Sequence, residues 1–268
     1  MRADLVLARR LERDEGLNTA EATLAYGREA PEVKVATLAV GGGWAAYAGV
    51  GSFLTQAKGM GMDGPVERSE LDRLEDFFMI RGAAAQGSIC PLADPSLLEL
   101  SRRNYRVLEF DNVLVVEPPR ATEPAPASPG VEVWRASPEE FDLWAETSAR
   151  GFFPDPDALA KARPAFRAFV GMPAVTSFLA RVDGQVAGAG AYGVRDGLAG
   201  FFATSVLPEF RGRGAHRELI RARLDSARAA GSDLCSVGAS PGSDSQRNFE
   251  RWGFRVAYTK TILIREWT

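Results

Sequence analysis

The sequence predicts an α/β protein built from two domains in tandem. Segments typical of strands and helices alternate along its 268 residues, a proline-rich stretch interrupts them near the middle, and the two halves end in similar patterns. At roughly 150 residues per domain, the length alone fits one large domain or two small ones. The proline-rich stretch decides in favour of two.

This stretch, at 117–130, reads EPPRATEPAPASPG and contains five prolines, most of them beside small residues. Prolines separated by small residues cannot bury an apolar face and favour an extended backbone. We therefore expect an exposed linker that separates a first domain at 1–116 from a second domain at 131–268.

In the first domain, the capping-box spacing of Asn18 and Glu21 predicts a helix that begins at Asn18 and runs to Tyr26. Three glycines at 41–43 separate two apolar segments and predict a hairpin. A helix at 65–81 follows, because leucines and phenylalanines recur there on one face. The remaining predicted elements are a strand at 88–91, a helix at 95–103 and a pair of closing strands, RVLEF and VLVVE.

The second domain is predicted to open with a strand at 131–135. Ser137, Pro138 and the two glutamates after them form a strong helix start, since serine caps helices and proline suits the first helical position. Gly151 ends that helix. The other predicted elements are a helix at 157–169, three strands that cover TSFLARV, QVAGAGAYGV and LAGFFATSV, a long helix at 212–230, a strand at 233–240, a short helix at 244–252 and two closing strands.

The two halves finish alike, each with a short helix followed by two strands. The spacing from Gly82 to Tyr105 is the same as the spacing from Gly231 to Phe254. The cysteines do not keep this offset, so the alignment of the halves needs a gap. We favour an internal duplication; two unrelated α/β domains with a common ending are the alternative.

Composition excludes several classes of protein. The 32 basic and 35 acidic residues give a net charge of −3, which argues against binding to nucleic acid. No apolar run approaches the roughly 18 residues of a membrane span, and acids near the N-terminus do not fit a signal peptide. Two cysteines and one histidine are too few for a disulfide framework or a metal site. We therefore expect a cytoplasmic protein without metal, nucleic-acid or membrane partners.

The stretch most informative about function is 201–231, in which a strand ends at Val206 and the loop RGRGAH (211–216) leads into a helix. Glycines allow a tight turn whose successive N–H groups point at one spot, and a helix N-terminus adds the positive end of its dipole. With two arginines, the loop predicts a cradle for a pyrophosphate. The P-loop pattern G-x-x-x-x-G-K-[ST] is absent. Two solvated arginines at a common kind of turn are the alternative.

This segment resembles the GCN5-related N-acetyltransferase (GNAT) superfamily, whose pyrophosphate loop reads [QR]-x-x-G-x-[GA]. Arg211 and Gly214 match that pattern, and the preceding V-x-P is also present, whereas His216 stands where Gly or Ala is usual. Downstream, NFERWGFRV (248–256) looks like the closing LYERLGF signature. The resemblance covers 131–268 in the order of its elements.

The resemblance implies a mixed sheet flanked by helices that binds acetyl-CoA as acyl donor and transfers acetyl directly to a primary amine. A bulge near 204–206 would aim an amide at the thioester oxygen, and the strand near 235–240 would splay to admit pantetheine. Much of the rate would come from holding amine and thioester together. The implied acetyl-CoA contacts are Thr204, Ser205, Val206, Arg211, Gly212, Arg213, Gly214, Ala215, His216 and Asn248.

Catalytic groups are harder to assign. The tyrosine that often serves the family as general acid falls on Phe249, which cannot donate a proton. Tyr258 and Ser245 are the candidate catalytic residues, with Ser243 or an ordered water as further substitutes. No general base is assigned. The acids near the expected acceptor cleft, which favour capping or surface roles, are Glu139, Glu140, Asp155 and Asp157.

The first domain contains a G-x-G-x-x-G stretch, residues 59–64, between a predicted strand and a predicted helix. A dinucleotide site is disfavoured because no βαβ unit follows and Asp63 would repel phosphate. If the halves are duplicated, this loop stands where 211–216 stands in the second domain but lacks both arginines. The first domain would then be a degenerate GNAT-like domain without its cofactor site.

We therefore expect an N-acetyltransferase that acts on a small-molecule or peptide amine. The first domain would shape the acceptor cleft or provide the contact of a homodimer. A non-catalytic acyl-CoA-binding or regulatory module is the main alternative, favoured by the missing tyrosine. A different acyl donor or a hydroxyl acceptor is the third possibility.

Overall fold

The computed structural model describes residues 3–118 and 127–267, so residues 119–126 of the predicted linker lie outside the described residues. The contacts within the chain divide it into two compact units. The first comprises Met1–Val113, Ala239–Pro241 and Val256–Thr268. The second comprises Leu114–Gly238 and Gly242–Arg255.

Helices and strands alternate along both units. In chain order they are α1 (Leu5–Glu29), β1 (Ala36–Val40), β2 (Gly43–Tyr47), β3 (Gln56–Lys58), α2 (Arg68–Met79), β4 (Ala85–Ile89), a 3₁₀ helix (Pro95–Arg102), β5 (Arg106–Val116), β6 (Val131–Arg135), α3 (Phe141–Phe152), α4 (Pro156–Val170), β7 (Val175–Val182), β8 (Gln185–Arg195), β9 (Leu198–Val206), α5 (Ala215–Ala229), β10 (Leu234–Ala239), α6 (Asp244–Glu250) and β11 (Arg255–Arg265).

The first unit contains a sheet with strand order β1-β2-β3-β4-β11-β5. Helix α2 presents Leu71, Leu74, Phe77 and Phe78 to the core, and this confirms the predicted apolar face. The prediction for α1 was wrong at its start. The helix begins at Leu5, capped by the Asp4 side chain, rather than at Asn18. Its sequence hides this length because its buried side is not uniformly apolar and includes Glu12 and Asp14.

The closing strands also differ from the prediction. Each predicted pair is one strand of 11 residues, β5 in the first half of the chain and β11 at its end. Strand β11 pairs antiparallel with β4, from Thr261 opposite Ile89 to Arg265 opposite Ala85. Because of this pairing, residues 256–268 belong to the first unit, although the sequence assigns them to the second domain.

In the second unit, the sheet has the order β10-β9-β8-β7-β6. Strands β6 to β9 are antiparallel, and β10 runs parallel to β9. Helix α3 packs on β8 and β9, α4 on β7, and α5 on β6 to β9. This confirms the predicted class, a mixed sheet flanked by helices. Among the described helices, none is both long enough and apolar enough to cross a membrane.

Candidate functional site

Strand β9 contains a bulge close to its end. Its register with β8 shifts from Ala191 opposite Phe202 to Ala189 opposite Ser205, so Ala203 and Thr204 together face the single residue between them on β8. Ala203 has a positive φ of 49°. A bulge bends the strand and turns backbone groups away from the ladder. The bulge that the sequence resemblance implied is therefore present.

Contacts from α3 hold the bulge in place. The hydroxyl of Ser148 donates to the carbonyl of Ala203 at 2.8 Å, and the hydroxyl of Ser205 donates to the carbonyl of Ser148 at 2.9 Å. Both serines are buried, so these bonds are not exchanged with solvent. The position of the bulge is thus set from the α3 side.

On the other edge of β9, the pairing with β10 ends before β9 does. The pairing with β10 runs from Leu198 opposite Leu234 to Phe201 opposite Val237 and ends there. Strand β9 continues to Val206, so the backbone groups of residues 202–206 on this edge lie beyond the ladder with β10. Three predicted contact residues, Thr204 to Val206, lie on this unpaired stretch. The ladder between the two strands therefore ends at Val237, within the stretch 235–240 where the resemblance implied a splay.

The loop at 211–216 follows directly. After a short 3₁₀ turn, Gly212 and Gly214 adopt positive φ values of 76° and 91°, and α5 begins at Ala215. Gly214 is the N-cap, and none of the described side chains caps this end of the helix. Among the described residues, the first N–H groups of α5 therefore lack a capping partner, which is the arrangement that binds anions at helix N-termini.

The two loop arginines are held differently. Arg213 forms an ion pair with Asp183 in the turn between β7 and β8, and both side chains are exposed to solvent. Arg211 donates through Nε to the carbonyl of Val206 at 3.3 Å. Both guanidinium groups therefore flank the loop, and an anion bound there would compete with Asp183 for Arg213.

Ser128 also contacts this loop. Its amide and hydroxyl donate to the buried carboxylate of Glu218 at 3.0 and 2.8 Å. A Cβ placed on Gly214 would lie only 2.4 Å from the Ser128 hydroxyl. Glycine is thus required at 214 by both its left-handed backbone and this close approach. The sequence reading missed Ser128 because it belongs to the predicted linker.

Helix α6 brings Asn248 and Phe249 towards the start of α5. Phe249 is fully buried and makes an edge-to-face contact with His216, with the ring centres 5.7 Å apart. Burial and the nearby charge of Arg223 lower the pKa of His216 to about 4. The imidazole is therefore neutral near pH 7 and packs against Phe249, so it adds no positive charge to the predicted phosphate loop.

A cleft of about 350 Å³ lies beside this contact and is lined by Arg217, Asn248, Arg251 and Trp252. Arg251 donates to the side-chain oxygen of Asn248 at 2.8 Å. Two guanidinium groups, an amide and an indole can together contact a phosphate and a flat ring. The structure thus brings Asn248 to the same end of α5 as the loop.

Residues 139–254 match the sequence model of the acetyltransferase (GNAT) family. This part of the chain is a GNAT domain. The match includes the bulge, the end of the β9–β10 ladder, the arginine–glycine loop and α6. No curated protein matches the chain.

Solved structures of similar fold cover both units. A GCN5-related N-acetyltransferase from Kribbella flavida is 19% identical, with a TM-score of 0.67, over 92% of this chain and 96% of that chain. A tandem GNAT protein from the clavulanic acid biosynthesis pathway is 14% identical, with a TM-score of 0.56, over 74% of this chain and 69% of that chain. These structural similarities show that the chain shares the fold of these two proteins.

Within the GNAT domain, the four acids considered for an acceptor cleft have local roles or lie at the surface. Glu140 accepts from the amide of Ser137 at 2.9 Å and from Trp134 at 3.0 Å, and Asp155 caps α4. Glu139 and Asp157 are exposed. None of these contacts marks a general base.

The two candidate catalytic residues belong to different units. Ser245 is half-buried on α6, where Ser243 serves as the N-cap. Tyr258 lies on β11 and belongs to the first unit, where its hydroxyl donates to Glu12 at 2.8 Å. Burial and the Glu12 charge raise the pKa of Tyr258. The pairing of β11 with β4 thus places Tyr258 in the first unit, whereas the sequence assigns it to the second domain.

Tyr258 is part of a buried charge cluster in the first unit, which we define as Glu12, Glu15, Lys58, Tyr258 and Lys260. Lys260 is 1% exposed and forms ion pairs with Glu12, at 2.9 Å, and with Glu15. Lys58 also pairs with Glu15. Two acids and two lysines balance each other's charge, although Oε2 of Glu12 has no hydrogen-bond partner among the described residues. The buried lysine is thus explained without a ligand.

Asp111 on β5, beside this cluster, should make stability depend on pH. Burial and the charge of Glu15 raise its pKa to about 6. Because this lies above the ordinary value of about 3.9, the group stabilises the folded state below pH 4, and that contribution is lost as pH rises through 6. We expect Asp111→Asn to raise the free energy of unfolding by about 1 to 2 kcal/mol at pH 7 and to leave it nearly unchanged at pH 4. Urea unfolding at both pH values tests this; equal effects at the two would contradict it.

In the first unit, neighbouring residues form hydrogen bonds and an ion pair with the G-x-G-x-x-G loop at 59–64. The amide of Gly61 donates to the carbonyl of Gly41 at 2.8 Å, and its carbonyl accepts from Asp94 at 2.7 Å. Arg9 binds the Met62 carbonyl and pairs with Asp63 at 2.9 Å. The Gly61 amide and the Arg9 guanidinium therefore already have partners within the first unit.

One residue of the GNAT domain that the sequence reading missed is Arg223. It is fully buried and donates to Thr204 on the bulge at 2.6 Å. The signal was available, because Arg223 falls on the face of α5 that otherwise presents Leu219, Ile220, Leu224 and Ala227 to the core. A charged residue within such a stripe marks a position that packing alone does not explain.

Proposed function

We propose that the GNAT domain binds acetyl-CoA and transfers its acetyl group to a primary amine of a small-molecule or peptide acceptor. The observation that carries this proposal is the bulge at Ala203 and Thr204 on the stretch of β9 that β10 does not pair, shortly ahead of the loop at 211–216. Backbone groups for a thioester and donors for a pyrophosphate thus follow one another closely along the chain.

The loop fits a pyrophosphate. Its N–H groups stand at an uncapped helix N-terminus, and Arg211 and Arg213 flank it. Acetyl-CoA supplies the activated acetyl thioester together with this pyrophosphate. The residues of the chain bind it by charge-assisted hydrogen bonds, which are roughly twice as strong as neutral ones.

The unpaired edge of β9 would hold the pantetheine arm through backbone hydrogen bonds. At the bulge, an N–H group turned out of the ladder can donate to the thioester oxygen, where negative charge develops when the amine attacks. A single donor of this kind contributes about 10²- to 10³-fold to the rate of acyl transfer in other enzymes. Holding the two reactants together contributes further.

The cleft of Arg217, Asn248, Arg251 and Trp252 would take the nucleotide end of CoA. Its volume of about 350 Å³ is at the lower end of small-molecule sites. The arginines suit a phosphate and Trp252 suits a purine face. Asn248 would then contact CoA as a partial stand-in for the asparagine of the family, which falls near Gly242.

Few of the predicted side chains can donate or accept a proton in this reaction. Phe249 carries no proton to donate, and the hydroxyl of Tyr258 is engaged by Glu12 in the first unit. Ser245 on α6 is retained as the candidate acid. The acceptor amine would lose its proton to solvent, because no acid near α3 or α4 has the surroundings of a base.

We also propose that the first unit is a GNAT-like domain without a cofactor site. Its loop at 59–64 stands between β3 and α2, as 211–216 stands between β9 and α5. The first-unit loop has no arginine, and Asp63 adds a negative charge. Its amide at Gly61 is already bonded to Gly41. These features support binding of acetyl-CoA by the second unit alone.

Hydrogen exchange on the full chain tests both proposals at once. With acetyl-CoA at 100 times its dissociation constant, the binding unit should gain roughly 2.7 kcal/mol. We expect slower exchange at 202–216 and no change at 59–64, which serves as the matched internal control. An unchanged exchange at 202–216 with every acyl-CoA offered would overturn the assignment of the donor.

Turnover then separates enzyme from binding module. Release of free CoA thiol in the presence of a panel of amines, with the acetylated amine identified by mass, is the expected result. Protection at 202–216 without thiol release for any amine would favour the non-catalytic module.

A further inference from the structure

Arg223 is a buried cation with one unused donor. Its Nε donates to the carbonyl of Leu219 at 3.0 Å, and Nη1 donates to the carbonyl of Ala191 at 3.3 Å and to Thr204 Oγ1 at 2.6 Å. Its Nη2 is buried and has no hydrogen-bond partner among the described residues. The side chain is 0% exposed.

This charge is buried without a carboxylate to balance it. Within residues 3–118 and 127–267, no acid forms an ion pair with Arg223. The rings of Phe201 and Phe249 lie 4.7 and 5.9 Å from its Cζ and offset part of the desolvation. A leucine would suit this helix face without that penalty, since an unpaired buried cation is strongly unfavourable.

The guanidinium lies at the bulge of β9. It bonds to Thr204 on the bulge and to Ala191 on β8. Gly190 is the β8 residue that faces the bulge, and a Cβ placed on it would be 3.3 Å from the Arg223 Cζ. The charge therefore lies against the bulge on one side and against Phe249, which replaces the tyrosine of the family signature, on another.

We propose that Arg223 binds the sulfur of CoA through Nη2 and stabilises the thiolate that leaves during acetyl transfer. This rests on the proposed function. When the amine nitrogen bonds to the carbonyl carbon, the carbon–sulfur bond breaks and its electron pair stays on sulfur. The amine releases its proton to solvent. The thiolate is held by the guanidinium, so the reaction does not need a proton from residue 249.

Burial moves the pKa values of two titratable side chains around Arg223 away from neutrality. On α5, His216 has its pKa lowered to about 4 by burial and by Arg223 itself. From β10, Cys235 faces the guanidinium, and burial raises its pKa to about 12. From β8, Tyr192 bonds to Ser226 of α5. Strand β9 and helix α6 contribute Phe201, Thr204 and Phe249, which do not titrate.

The test is the pKa of the CoA thiol bound to the full-length protein, followed by the ultraviolet absorbance of the thiolate across pH 6 to 9. We expect this pKa to be at least about one unit below that of free CoA, which is a tenfold shift towards thiolate. Arg223→Met should abolish the shift and Arg223→Lys should retain part of it. The protein's own thiols stay silent, because burial raises the pKa of Cys90 to about 11 and that of Cys235 to about 12.

Desulfo-CoA, which lacks the sulfur, is the matched ligand control. At any one pH, its affinity should be the same in wild type and Arg223→Met. If neither CoA nor desulfo-CoA binds the wild type, the proposed function fails. If both bind and the bound CoA thiol titrates like free CoA, the role of Arg223 is overturned while the function stands. The pKa of the CoA thiol bound to the wild type tests the role of Arg223 even if Arg223→Met does not fold.

Discussion

Replacing Lys260 with Met is expected to lower the free energy of unfolding by about 3 to 5 kcal/mol, the usual cost of removing one partner of a buried ion pair. Lys260 is 1% exposed, and Glu12, its partner at 2.9 Å, is equally buried. The substitution would leave Glu12 with only the Tyr258 hydroxyl, whereas Glu15 would keep Lys58. The midpoint of urea unfolding measures the loss.

Two variants control this experiment. Lys161→Met changes the same pair of residue types at an exposed position on α4 and should alter stability by less than about 0.5 kcal/mol. Adding Glu12→Gln to Lys260→Met removes the stranded charge and should recover part of the loss. A Lys260→Met protein as stable as wild type would contradict the assigned role of the cluster.

The loss should also depend on pH. Burial by itself would raise the pKa of Glu15, but Lys260 and Lys58 hold that pKa well below its usual range. Such a carboxylate stabilises the fold above its unfolded pKa and ceases to do so as pH falls through its folded pKa. Without Lys260, the buried acids are easier to protonate. We therefore expect Lys260→Met to be less destabilising near pH 4 than near pH 7.

Arg213→Glu is expected to weaken acetyl-CoA binding roughly 30- to 1000-fold, corresponding to about 2 to 4 kcal/mol. It removes a charge-assisted hydrogen bond, worth about 1.5 to 3 kcal/mol, and adds a negative charge beside the proposed pyrophosphate site. Calorimetric titration of the full chain measures the change. Unchanged affinity would refute the loop as the cradle.

The partner of Arg213 provides the matched control. Asp183→Asn removes the carboxylate that holds Arg213 in the free protein and should leave acetyl-CoA affinity unchanged or raise it. Both side chains are exposed, so their ion pair contributes at most about 1 kcal/mol to stability. Neither variant should therefore unfold the second unit, which separates a binding effect from a folding effect.

Much of the GNAT domain could be predicted because its signals are local. The Ser137 start, which caps a 3₁₀ turn at Pro138–Glu140 directly ahead of α3, depends on residues within a few positions of one another, as do the helix over 157–169 and the loop before α5. Capping, helical periodicity and glycine turns act over that range, and the structure has the corresponding elements. The resemblance implied a bulge near 204–206, and the structure has it at Ala203 and Thr204.

The start of α1 could not be predicted from those signals. Its buried side includes Glu12, whose charge is matched by Lys260 near the other end of the chain. From the sequence alone, a charged residue on a helix is predicted to face solvent unless its partner is known. Arg223 is similar, because Thr204 and Ala191 become its neighbours only when α5 packs on the sheet.

The α/β class and the order of the elements follow from short-range patterns of apolar residues, glycines and caps in the amino-acid sequence. The resemblance to GNAT enzymes adds the role expected of the loop at 211–216. The three-dimensional structure was needed to show that β11 pairs with β4, which places Tyr258 beside Glu12 in the first unit, and that Arg223 lies at the bulge. Strand pairing and burial join residues far apart in the chain, and their free energies depend on neighbours that a linear pattern does not show.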